Sequence, residues 1–185
     1  MKIKNYISLI LTACVLTLSP SIFAEEGTTK DAEKALHVEV ENALKLLKAE
    51  DSTIGDKLNE AYAYVIFPSI TKAGFILGGS GGSGEVYKKE SRIGRAKLAA
   101  GSIGAQIGGQ VFIEVILFED KNAFEMFTLN KMKLSAQVSA VAISEGAAMN
   151  AKFEDGVAVI ILAKGGLMAE ASVGGQKLTY IPGEN

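Results

Sequence analysis

The sequence contains little of what most metal and thiol sites require. It has no tryptophan, one histidine and one cysteine in 185 residues. Cys14 lies in the apolar N-terminal segment, so a chain that loses this segment has no thiol and forms no disulfide. His37 then has no cysteine to act with, which excludes the usual zinc-binding combinations. We therefore expect no metal and no cofactor, and we interpret His37 as a solvated histidine on a helix surface.

The chain also lacks an excess of positive charge. It has 19 lysines and arginines against 21 aspartates and glutamates, which gives a formal net charge of −2. Without Lys2 and Lys4 the count becomes 17 against 21, or −4. Such a protein does not attract nucleic acid as a whole, so we expect no nucleic-acid partner. An anionic partner would have to be bound by a local group of cations.

Residues 1–24 have the layout of a secretory signal peptide. Two lysines provide a basic start, an apolar run follows, and Ala24 ends a stretch of mostly small residues. The apolar run is too short to span a bilayer stably. We expect cleavage after Ala24, leaving residues 25–185 as a periplasmic or secreted protein. The alternative is a lipoprotein, because the residues before Cys14 also resemble a lipoprotein cleavage box.

Hydrophobic periodicity divides residues 25–185 into helices and strands of a single domain. A helical repeat predicts a first helix over about 30–49, a second helix that ends near Ala61, and an inserted helix that begins at Asp120. The balanced charge of the first helix favours packing on the domain over lying on a membrane surface. A period of two predicts strands near 62–67, 73–79, 84–89, 96–101, 104–118, 134–140, 156–163, 166–173 and 176–181. Long strands with glycine bends favour an α+β domain whose antiparallel sheet is strongly curled or closed into a small β-barrel.

Two features of this pattern are candidates for a ligand-binding or catalytic site. Residues 79–84 match the glycine fingerprint of dinucleotide-binding proteins, but Glu85 and a strand follow where a helix N-terminus would be needed. We interpret these glycines as a hairpin or bulged bend. Glu114 is a carboxylate in an apolar strand, so it would be paired with a basic residue, line a cavity or act as a general acid. Because no triad, metal set or cofactor loop accompanies it, we expect the protein not to be an enzyme.

Basic residues are concentrated in one part of the chain. Between residues 70 and 98, six cations are opposed only by Glu85 and Glu90. The six are Lys72, Lys88, Lys89, Arg92, Arg95 and Lys97. Such a patch can contact phospholipid head groups, each basic residue contributing about 1 kcal/mol near an anionic surface. Charge alone does not distinguish this role from that of an ordinary solvated loop.

Three blocks of sequence resemble the SYLF domain, a family associated with lipid binding. They read VIFPSITKAGFILGG over 65–79, SIGAQIGGQ over 102–110 and GLMAEASVGGQ over 166–176. The resemblance implies a non-enzymatic protein of the cell envelope or secreted space that binds phospholipid membranes, and the six cations are the candidate contacts to the anionic head groups. Members often carry Trp and Pro near 92–97, where this chain has neither. The alternative function is that of a structural envelope protein that binds a protein partner through an exposed sheet edge.

Overall fold

The computed structural model describes residues 26–74, 77–103, 109–134, 138–164 and 175–183. The helices are α1 (Glu26–Glu50), α2 (Ile54–Glu60), α3 (Lys121–Thr128) and α4 (Ala147–Asn150). The strands are β1 (Ala63–Gly74), β2 (Leu77–Lys88), β3 (Ser91–Ile103), β4 (Gly109–Phe118), β5 (Ala140–Ala142), β6 (Val157–Ala163) and β7 (Lys177–Pro182). The predicted signal peptide and the predicted strand over 166–173 lie outside the described residues.

All seven strands belong to one sheet, in the order β5-β6-β4-β1-β2-β3-β7. Every neighbouring pair is antiparallel except β5 and β6, which are parallel. In the described part of the chain the two edge strands, β5 and β7, do not pair with each other, so the sheet is open. The α+β class is therefore confirmed, whereas the prediction of a strongly curled sheet or small β-barrel is wrong. The sheet need not close on itself, because helices and connecting segments cover both of its faces.

Strand β4 shows this burial of both faces. Phe112 and Ile116 contact the cluster that contains α3, and we call this side of the sheet the α3 face. Ile113 and Val115 contact the cluster that contains α1 and α2, and we call this side the α1 face. The alternation along β4 correctly predicted that the strand is covered on both sides.

The helices pack as their apolar positions predict. Helix α1 buries Val40, Ala43 and Leu47 against the α1 face, which confirms that it packs on the domain. Helix α3 begins where Asp120 accepts a hydrogen bond from the backbone N–H of Ala123 at 2.9 Å, as an N-cap residue does. Within the described ranges, no helix is long and apolar enough to cross a membrane.

The glycine-rich segment lies inside a strand. Residues 79–84 belong to β2 and all pair with β3, while 79–81 also pair with β1. The hairpin interpretation is therefore wrong, whereas the alternative of a bulged bend agrees with the register irregularity between β1 and β2 opposite residues 82–84. A Cβ atom on Gly84 would lie 2.5 Å from the carbonyl oxygen of Ile66, and one on Gly82 would lie 2.6 Å from that of Ser69. These glycines are needed because β1 approaches β2 closely where the register between the two strands shifts.

Strand boundaries also differ from the prediction, since the strand predicted over 73–79 covers the end of β1 and the start of β2. Strand β1 continues through Pro68 and absorbs it in an irregular register next to β4, although the sequence predicted a break there. Of the strand predicted over 134–140, residues 135–137 lie outside the described residues; β5 begins only at Ala140, and Leu134 bonds to the chain just before β7. The backbone N–H of Leu134 donates to the carbonyl oxygen of Gln176 at 3.1 Å.

We expect Gly84→Ala to lower the free energy of unfolding by about 1–3 kcal/mol, the usual effect of forcing extra volume into a packed core. The new Cβ would collide with the backbone of Ile66, which cannot rotate away as a side chain could. Gly101→Ala on the neighbouring strand β3 is the control, since a Cβ there meets nothing within 4 Å. Denaturant unfolding measures both variants. Equal stabilities would show that space around Gly84 is not limiting.

Candidate functional site

The six predicted cations do not form one continuous patch. Lys72 lies opposite Ser80 across β1 and β2. Lys88 lies at the other end of β2, about 26 Å from Ser80 at the usual rise of about 3.3 Å per strand residue. Lys97 is exposed in the middle of β3, opposite Ser83. The structure thus separates Lys72 from the cations around the β2–β3 hairpin.

The two lysines at the hairpin do not face α1. Lys88 places its Nζ 4.7 Å from the centre of the Tyr62 ring, which packs against the α3 face. Lys89 is exposed in the turn, with a positive φ of 56°. These lysines are available to solvent at the end of the sheet, but they are not part of the contact between the hairpin and α1.

A buried carboxylate organises the side of the hairpin that faces α1. Glu85 on β2 is fully buried, and its two oxygens accept three side-chain hydrogen bonds. Arg92 Nη1 donates to Oε1 at 2.8 Å, while Tyr87 Oη and His37 Nδ1 donate to Oε2 at 2.6 and 2.9 Å. The His37 side chain is 45% exposed on the surface of α1, as predicted, but it also holds α1 to the sheet through Glu85, a contact that the sequence did not predict.

An irregularity in β3 brings both arginines of the hairpin to the α1 face. In a regular strand, residues three apart such as Arg92 and Arg95 would point to opposite faces. The register against β2 shifts at Ile93, so that Arg92 lies opposite Tyr87 and faces α1. Arg95 faces the same helix and forms an ion pair with Glu33, with 3.1 Å between Nη2 and Oε1. Each arginine is thus held by one carboxylate.

The hydrogen bonds decide the charge of Glu85. Burial alone would raise the pKa of its carboxyl, but the donors His37, Tyr87 and Arg92 outweigh burial and hold this pKa below its ordinary value. Burial and the adjacent Glu85 carboxylate both raise the pKa of Tyr87, so its phenol stays protonated and donates. At neutral pH, Glu85 is therefore a buried negative charge that accepts hydrogen bonds from these three side chains.

An amphipathic groove lies between α1 and Arg92, and we call it the α1 groove. It has a volume of about 560 Å³ and is lined by Lys30, Glu33, Lys34, His37, Val38 and Arg92. Val38 and the methylene stems of the long cationic side chains can provide apolar walls. Three cations line the groove and are opposed there by the carboxylate of Glu33. A second groove of about 380 Å³ shares Glu33 and Arg92 and extends past Arg95 to Gly183. This arrangement can hold an anionic group against an apolar surface.

Glu114 is buried on the α3 face, and its partner is an amide. Gln176 Nε2 donates to Glu114 Oε2 at 3.0 Å, whereas the sequence favoured a basic partner. Burial raises the pKa of Glu114 to about 7, and the hydrogen bond from Gln176 opposes this only in part. Across the residues that the structure describes, no three His, Cys, Asp or Glu side chains are grouped so that they could hold a metal ion.

The sequence did not indicate several residues that the fold brings to these sites. Lys30 and Lys34 were not singled out because the charge of their helix is balanced. Glu85 was noted only as a negative charge within the basic segment. A carboxylate between apolar strand residues is a usable signal for Glu85, as it was for Glu114. Nothing in the spacing of Gln176 connects it to Glu114, because they lie 62 residues apart.

Comparison with known proteins gives one named relative. No protein-family model matches the chain. The chain is similar to Beta cell expansion factor A of Aeromonas veronii, with 31% identity over 151 residues. The matched region covers 81% of this chain and 58% of that protein, so the chain spans less than two thirds of the relative's length.

Proposed function

We propose that the protein is a non-enzymatic SYLF-family protein that binds anionic phospholipid surfaces through the α1 groove. The observation that carries this proposal is the convergence of Lys30, Lys34 and Arg92 on a groove with apolar walls. The chain as a whole has a net charge of −2, so attraction to an anionic surface has to be local. The cations come from a helix and a hairpin distant in sequence, which makes their meeting a property of the fold.

The SYLF assignment is supported by the three sequence blocks and is compatible with the relative. The blocks over 65–79, 102–110 and 166–176 occur in the order of the family. The relative is named for the expansion of beta cells. Because this chain spans 58% of that protein, the named effect does not transfer with the matched region.

In the proposed mechanism, Glu85 fixes the groove and the lysines attract the surface. Arg92 uses one donor on Glu85, but its side chain is 44% exposed and its guanidinium has further N–H groups for a phosphate. Lys30 and Lys34 are exposed on successive turns of α1, and both line the groove. Val38, which is 55% exposed, presents an apolar side chain towards the lipid. Head-group charge and interfacial burial then act together.

The alternative function, binding of a protein partner through a sheet edge, has less support. Edge strand β5 has only three residues. The outer side of β7 is partly occupied. The backbone of Lys133 forms an isolated antiparallel β-bridge with that of Lys177, and the Asn130 side chain accepts a hydrogen bond from the backbone N–H of Tyr180 at 2.7 Å. Short and covered edges offer little backbone for another strand to pair with.

Reversal of the groove lysines tests the proposal. We expect Lys30→Glu with Lys34→Glu to weaken binding to vesicles of phosphatidylglycerol and phosphatidylcholine by at least about thirty-fold, since loss of each cation costs about 1 kcal/mol and each new carboxylate adds repulsion. Binding by the parent should also weaken as salt rises, because the Debye length is about 8 Å at physiological ionic strength. Vesicle co-sedimentation measures both effects, and vesicles of phosphatidylcholine alone provide the neutral reference.

The matched control is Lys45→Glu with Lys48→Glu. It changes the net charge equally on the same helix, but Lys45 lies about 16 Å from Lys34 at the usual helical rise of 1.5 Å per residue. We expect the control to bind nearly as well as the parent. Equal losses in both double variants would show that only net charge matters, and no loss in the groove variant would place lipid contact elsewhere.

We also propose that residues 1–24 direct export and are then removed. The basic start, the short apolar run and Ala24 support this. The intact mass of the exported protein should correspond to a chain that begins at Glu25. A mass that corresponds to a lipid-modified N-terminus at Cys14 would contradict cleavage at Ala24 and would mean that the protein is anchored independently of the α1 groove.

A further inference from the structure

Glu114 and Gln176 meet across the α3 face although their strands are distant in the sheet. Glu114 lies in β4 and Gln176 directly precedes β7, and three strands separate β4 from β7. The two side chains are 0% and 3% exposed. The pair therefore ties two distant parts of the sheet through its apolar interior.

Apart from Gln176, the described neighbours of Glu114 are apolar. Its cross-strand neighbours are Phe67 on β1 and Ile161 on β6. Leu134 from the segment after α3 and Leu178 on β7 belong to the same buried cluster. In the described residues, no lysine, arginine or histidine forms an ion pair with Glu114. Among the described residues, an ionised carboxylate here would have no cation paired with it.

A count of donors and acceptors shows what the pair lacks. An ionised carboxylate only accepts hydrogen bonds, while the glutamine amide offers two N–H donors and one acceptor oxygen. The bond from Gln176 Nε2 satisfies Glu114 Oε2. Glu114 Oε1 and Gln176 Oε1 both remain buried without a partner in the described structure. A proton on Glu114 Oε1 would make this atom a donor and supply the hydrogen that Gln176 Oε1 lacks.

We propose that Glu114 is protonated in the folded protein and that its Oε1–H donates to Gln176 Oε1, closing an acid–amide pair that opens when the proton is lost. One proton then removes a buried charge and satisfies both unpartnered oxygens. Opening of the pair also affects backbone hydrogen bonds next to Gln176. The carbonyl oxygen of Gln176 accepts from Leu134 N–H at 3.1 Å, and Gly175 N–H donates to the carbonyl oxygen of Leu134 at 2.9 Å. The pair is thus a pH-sensitive tie between β4 and the chain that enters β7.

The direction of the pH effect follows from burial. The pKa of Glu114 is raised from 4.5 to about 7, so the folded protein holds this proton more tightly than the unfolded chain does. The stabilisation by the pair is complete below about pH 4.5 and declines as pH rises, until it is lost above about pH 7. This range includes neutral pH, where small changes alter the fraction of closed pairs.

A carboxyl titration tests the protonation directly. In protein with ¹³C-labelled glutamate side chains, we expect one carboxyl resonance to titrate near pH 7. Absence of that resonance from Glu114→Gln assigns it to Glu114. If no glutamate titrates above about pH 6, Glu114 is ionised in the folded protein and the proposal is wrong. The titration of the parent decides this point even if the variant fails to fold.

Glu114→Gln also tests the pair, because its amide can donate to Gln176 Oε1 at every pH. Between pH 5 and 8.5, we expect the melting temperature of the parent to fall relative to that of Glu114→Gln. The control is Glu119→Gln, which replaces an exposed residue just after β4; its melting temperature should change with pH as that of the parent does. Exchange of the Leu134 amide, corrected for its chemical rate, should accelerate with pH in the parent and stay constant in Glu114→Gln. If exchange at Leu134 in the parent does not change with pH, the proposal that the pair opens is wrong. If Glu114→Gln melts below the parent at pH 8.5, the proposal that Glu114 is a neutral acid is wrong.

Discussion

The buried carboxylate of Glu85 is the interaction on which the candidate site depends. Its oxygens receive Arg92 from the hairpin, His37 from α1 and Tyr87 from its own strand. A charge of this kind is tolerated inside a protein only when such donors replace its water. The requirement works in both directions, because the carboxylate needs the donors and the donors take their positions from the carboxylate. The walls of the α1 groove are set by this contact. The environment of Glu114 differs from that of Glu85. Its only described partner is the amide of Gln176, and its other neighbours are apolar.

Local patterns in the sequence were sufficient to predict much of the fold. The alternation along β4 indicated a strand buried on both faces, and its side chains divide between the two clusters. The spacing of Val40 and Leu47 predicted the packed stripe of α1, and Asp120 marked the start of α3. These predictions succeeded because hydrophobic periodicity and helix capping depend on residues that are close in sequence. The open sheet was not predictable in this way, because closure depends on how both faces are covered.

The candidate site depended on contacts that no local pattern contains. The extra residue at Ile93 turns Arg92 towards α1, and a strict alternation cannot predict such a shift. The glycines over 79–84 indicated a hairpin or a bulged bend, and here they lie within β2 and allow β1 to approach where the register shifts. Gln176 meets Glu114 only because the sheet places β4 and β7 over the same interior. The six cations are close together in the sequence, yet the fold separates them and brings lysines from α1 next to Arg92.

The dependence of the fold on Glu85 is tested most directly by the pH dependence of unfolding in Glu85→Gln. The pKa of Glu85 lies below its ordinary value of 4.5, so its stabilisation is present above about pH 4.5 and is lost as pH falls through the lowered pKa. At pH 7 the variant should be less stable than the parent by about 1–3 kcal/mol, the effect of losing hydrogen bonds to a charged group. This difference should shrink in acid, and the exposed Glu90→Gln should match the parent throughout. Equal stability of Glu85→Gln and the parent at pH 7 would contradict the role given to Glu85.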